Sequence, residues 1–72
     1  MHHRREAIEL AKKIYFYIKN TKGEYSINQI SKEMEAKYEI TITCLDFLRD
    51  VGLIKERKGS KKPIPERLFS LK

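Results

Sequence analysis

The apolar residues of this chain recur at helical spacing as far as Leu48, and beyond Gly52 that spacing gives way to alternation. A period of 3.6 and a period of 2 belong to different elements, so the chain passes from helix to strand at this point. Three helical segments precede the change. In the first, Ala7, Ile8, Ala11, Ile14, Tyr15 and Ile18 fall on one stripe, which predicts an amphipathic helix over about residues 4–20. Glu6 and Glu9 near its start and Lys19 near its end suit the helix dipole, and Asn20 to Gly23 supply the stop. Phe16 and Tyr17 lie off the stripe, where they widen the core face or cover a neighbour.

Residues 24–26 are extended at most. Ser26 followed three residues later by Gln29 is a capping box. It opens a second helix over about residues 27–35, with Ile27, Ile30 and Met34 on one face; a helix so short is held by packing. Residues 36–39 form a tight connection to a third helix over about 40–51. Its wheel puts Thr41, Cys44, Leu45, Leu48 and Val51 on one side and Glu39, Thr43, Asp46 and Asp50 on the other. Gly52 ends it, as the residue that tolerates a left-handed cap. Leu53 to Arg57 and Arg67 to Leu71 then read as the strands of a β-hairpin over about 53–71, around a lysine-loaded segment broken by Gly59, Pro63 and Pro65. The expected fold class is α+β, mainly α: three helices and a hairpin in one domain of residues 1–72.

The charge is uneven. The formal net charge is +6, and residues 55–72 hold seven basic side chains against two acidic ones. A basic tail attracts polyanions, nucleic acid first among them; the plainer reading is a solvated face. No apolar run reaches the roughly 18 residues of a membrane span, so no membrane partner is expected. Met1 to Arg5 carry no apolar signal core, which points to a cytoplasmic, intracellular protein. The single cysteine, Cys44, makes no internal disulfide and reads as a small buried hydrophobe. His2 and His3 have no companion ligands for zinc. No cofactor, metal or small-molecule effector is expected. With no nucleophile–base arrangement, paired carboxylates or glycine-rich phosphate loop, neither is catalysis.

The stretch Ile42-Thr43-Cys44-Leu45-Asp46-Phe47-Leu48-Arg49-Asp50-Val51-Gly52-Leu53-Ile54 resembles the Leu-x-x-Leu-x-x-x-Gly-Leu-Ile pattern that closes the recognition helix and opens the wing in winged helix-turn-helix DNA-binding domains. Tyr25 to Met34 resembles the short positioning helix of the same superfamily, and the likeness extends over about residues 7–71. A composition rich in Lys, Glu and Ile, with one Gln and no Trp, is of the kind found in heat-loving organisms. A small archaeal or archaeal-virus transcriptional regulator fits it.

That resemblance implies a double-stranded DNA partner, with the third helix in the major groove. Lys37 would meet a phosphate or guanine, and Tyr38 and Thr43 phosphate oxygens or a thymine methyl, while Glu39 would accept from cytosine. Asp46 and Asp50 would repel the backbone unless the helix docks by its tip. In the wing, Arg57, Lys58, Ser60, Lys61 and Lys62 would reach the backbone or the minor groove. Ser26, Asn28 and Gln29 at the start of the second helix would hold a phosphate, with plain capping as the rival reading for Ser26 and Gln29. Arg4 and Arg5 would add backbone contacts, or belong to a frayed terminus. A homodimer on paired half-sites is expected through Tyr15, Phe16, Tyr17 and Phe47, with a monomer left open. The alternative functions are a protein-interaction module, favoured by the acidic side of the third helix, and, ranked lowest, an RNA-binding module.

Overall fold

A computed structural model describes residues 2–59 and 66–72, with side chains from Ala7 onward. Its elements run α1 (His2–Thr21), β1 (Glu24–Ser26), α2 (Ile27–Met34), α3 (Tyr38–Asp50), β2 (Ile54–Lys58) and β3 (Arg67–Leu71). The fold is a small α+β one, mainly helical, with three helices and a three-stranded antiparallel sheet ordered β1-β3-β2. The expected helices and hairpin are therefore present, with two differences. Residues 24–26 are a true strand, paired with β3 at Glu24 opposite Ser70, Tyr25 opposite Phe69 and Ser26 opposite Leu68. And α3 begins at Tyr38 rather than Ile40, because Lys37 is its N-cap and the connection from α2 is only three residues long.

Three of the helix ends have a clear physical cause. Ser26 and Gln29 complete a reciprocal capping box: the Gln29 amide donates to the Ser26 hydroxyl at 3.2 Å, and the Ser26 amide to Gln29 Oε1 at 2.8 Å. At the other end of α2, Glu35 takes the left-handed conformation, φ 52°. Ser31 and Ala36 close that turn through the Ser31 hydroxyl and the Ala36 amide. Gly52, at φ 86°, turns the chain from α3 into β2, a conformation that side chains resist. Gly23 answers to a close approach instead: a Cβ there would meet the Tyr25 hydroxyl at 2.6 Å.

One apolar core joins all the elements. It is built from Ala11, Ile14 and Ile18 of α1, Ile27 and Ile30 of α2, Cys44, Leu45 and Leu48 of α3, Ile54 of β2 and Phe69 of β3. Thr41 is buried among them, its hydroxyl donating to the Lys37 carbonyl at 2.9 Å, so its polar group is satisfied inside its own helix. Val51, expected on the core side, is 53% exposed. It is the C-cap, where the chain leaves the helical spiral and the wheel no longer fixes direction. The sheet lays Ile54, Phe69, Leu71 and Tyr25 against the helices, and the strand period sends Lys55, Arg57, Leu68 and Ser70 to its other side. No helix among the described residues is long and apolar enough to cross a membrane.

Candidate nucleic-acid interface

The period that turns Ile54 and Phe69 inward also turns Glu56 and Arg67 inward, at the end of the hairpin next to α3. There they meet the polar side of the helix. Arg67 donates from Nε to Glu56 Oε2 at 2.7 Å and from Nη2 to Asp46 Oδ1 at 2.7 Å, and its Cζ stands 5.3 Å from the Phe69 ring centroid. Arg49 donates to the same Glu56 and to Asp50. Two guanidinium groups thus hold three carboxylates across α3, β2 and β3. Glu56, the most buried member, has its carboxyl held below the ordinary carboxylate range, first by Arg67 and then by Arg49. The Arg67 guanidinium is correspondingly harder to deprotonate, through Glu56 and then Asp46.

This clamp changes the meaning of the acidic side of α3. Asp46, expected to repel a DNA backbone, faces Arg67 and Arg49 instead. It also fixes the loop end of the hairpin: Arg67, held by Asp46 of α3, is paired in the β2–β3 ladder with Lys58, the last residue of β2. The signal was in the sequence, since strand alternation puts Glu56 and Arg67 on the inward side, where a polar group requires a partner.

The expected site residues are distributed as follows. Lys37 is exposed at the N-cap of α3, Tyr38 is 46% exposed on its first turn, and Thr43 is exposed one turn later with its hydroxyl on the Glu39 carbonyl at 3.2 Å. Lys37 and Tyr38 share one end of α3, while Thr43 lies near its middle and lines the apolar groove between α1 and α3. Asn28 is exposed on the first turn of α2. Ser26 is only 4% exposed, and both it and Gln29 are committed to the capping box, so the capping reading holds for them. Arg57 is not at the hairpin tip. It lies on the outward side of the sheet, forked onto Glu24 across β3, with Nη2 donating to Oε1 at 2.6 Å; the pair lowers the Glu24 carboxyl and raises the Arg57 guanidinium. Lys58 is exposed. Ser60, Lys61 and Lys62 lie outside the described residues, and the side chains of Arg4 and Arg5 lie outside them too, on the N-terminal turns of α1.

The four aromatic residues expected to form a dimer face separate. Tyr17 packs at a tilt against Tyr25 with ring centroids 5.0 Å apart, and Phe16 is exposed next to Tyr15. Tyr15 and Phe47 line a common apolar groove between α1 and α3. Cys44 is buried at the floor of that groove, its thiol donating to the Ala7 carbonyl, and burial pushes the thiol up from its ordinary value. No known protein-family model matches the chain, and no curated protein is similar to it.

Proposed function

We propose that this chain is a winged helix-turn-helix module that binds double-stranded DNA and regulates transcription by occupying its site. The observation that carries the reading is the reach of Arg67 to Asp46. It anchors the basic hairpin to α3, so that Lys58 at the loop end of β2, Lys37 and Tyr38 at the start of α3 and Thr43 further along it can engage one stretch of duplex. The β1-β3-β2 sheet, with its first strand leading into α2, supports the same fold family. Arg67 and Arg49 neutralise Asp46 and Glu56 internally, leaving the exposed lysines to set the local potential.

Fluorescence anisotropy with a labelled random duplex tests this. About five phosphate contacts give a log–log salt slope of about −4 to −5, and Lys37→Ala and Lys58→Ala each lower its magnitude by about one. A complex insensitive to salt, or none at low salt, contradicts the proposal. A second reading, a protein-interaction module, is favoured by the exposed Glu39 and Asp50 on the outward side of α3; the second of those results would favour it.

A further inference from the structure

Between α1 and α3 the described residues leave a groove of about 760 Å³, within the roughly 300–1,000 Å³ of small-molecule pockets. Ile8, Ala11 and Tyr15 form one wall, and Cys44, Phe47 and Leu53 the other. Ile8 and Phe47, one from each helix, are the most exposed large apolar side chains among the described residues, at 58% and 56%. Two polar groups of the lining are already committed: the Cys44 thiol donates to the Ala7 carbonyl, and the Thr43 hydroxyl to the Glu39 carbonyl. The body of an occupant therefore gains chiefly by leaving water for an apolar wall. A flat protein surface laid over Ile8 and Phe47 would bridge the concavity and leave it empty, which forfeits packing.

Lys12 decides the class of occupant. It is the one charged residue of the lining, and among the described residues it forms no ion pair. No carboxylate lines the groove, and Lys19, with Nζ 5.8 Å from the Tyr15 ring centroid, adds positive potential to the α1 wall. A neutral apolar body would strip water from the Lys12 ammonium and return nothing, and a cation would be repelled. An anionic head at the rim gives a charge-assisted hydrogen bond instead. From Ile8 to Tyr15 the helix rises about 10 Å, which sets the length of body the groove can cover. We infer that the groove binds a small amphiphile: an apolar chain or ring system about 10 Å long, with a carboxylate head held by Lys12. This site does not rest on the duplex-binding reading.

Backbone-amide NMR of the full chain without DNA tests this, with octanoate, octanol and octyltrimethylammonium as probes that share one chain and differ in the charge of the head. Octanoate is expected to shift Ala11, Lys12, Cys44 and Phe47 saturably and to bind about fivefold more tightly than octanol, with the cation weakest. Lys12→Ala removes the preference for octanoate over octanol, and Lys12→Arg keeps it; Lys12 is exposed, so neither variant disturbs the fold. Phe47→Ala, which takes away a wall and no charge, weakens octanoate and octanol alike. No saturable shift in the groove overturns the inference and leaves the groove to a protein partner. Octanol binding as tightly as octanoate, or a preference that survives Lys12→Ala, overturns it too. So do groove shifts that grow with chain concentration before any amphiphile is added, which would make a second copy the occupant.

Discussion

Glu35 holds a left-handed conformation, φ 52°, for which a side chain brings nothing and costs about 1 kcal/mol. Its backbone amide caps α2 on the Lys32 and Ser31 carbonyls, so the conformation itself is required. Glu35→Gly is therefore expected to raise stability by about 0.5–1 kcal/mol, seen as a melting temperature a few degrees higher by circular dichroism; a lower one would mean that the side chain contributes something unseen. Glu56 makes a second prediction at this scale. Its carboxyl is depressed by Arg67 and Arg49 in the folded state. The stability it contributes is then fully present above the unfolded carboxylate value, about 4.3, and is lost as pH falls through the lower folded value. Between pH 5 and pH 3 the wild type should lose more stability than Glu56→Gln; parallel curves would contradict the clamp.

Among the elements, α3 carries the most. Leu45 and Leu48 plug it into α1 and α2, and Leu48 is almost fully buried. Leu48→Ala should cost about 2–5 kcal/mol in urea unfolding, a large share of the roughly 4–10 kcal/mol available to a domain of this size. The Glu56–Arg67 pair joins two strands already hydrogen-bonded to each other, so a double-mutant cycle should find a coupling of only about 1 kcal/mol, reduced by salt. The elements themselves were legible because each has a local signature: the stripe of α1, the Ser26–Gln29 box, the Gly52 stop, and the alternation on either side of the basic turn. The third strand was not, because Glu24 to Ser26 has no pattern of its own. It is strand only because β3 arrives beside it from more than forty residues away. Of the candidate site, the exposed end of α3 was legible from its wheel. The pairing of Arg57 with Glu24 was not, because it spans the sheet across β3 and depends on that same unforeseen strand. The groove was half legible: Tyr15 and Phe47 were picked out, but Ile8 read as core and Leu53 as plain strand, since periodicity assigns a face and not whether a neighbour covers it.

At the scale of the whole molecule, the proposed duplex-binding side and the α1–α3 groove share Thr43, which lines the groove, and otherwise draw on different parts of α3. Lys37 and Tyr38 lie at its N-terminal end, while Phe47 lies toward its C-terminus against α1. The carboxylates of α3 nearest the hairpin are neutralised locally, Asp46 by Arg67 and Asp50 by Arg49. A short basic duplex-binding fold needs this neutralisation, because phosphates reward any exposed cation and punish any unpaired carboxylate near it. The most direct measurement is a backbone-amide NMR titration with a short duplex at low salt. Binding as proposed moves the resonances of Asn28, Lys37 to Thr43, and Lys58 with Arg67, and leaves Glu9, Lys13 and Phe16 on the outward side of α1 unmoved. Shifts confined to α1, or none at saturating duplex, would contradict it.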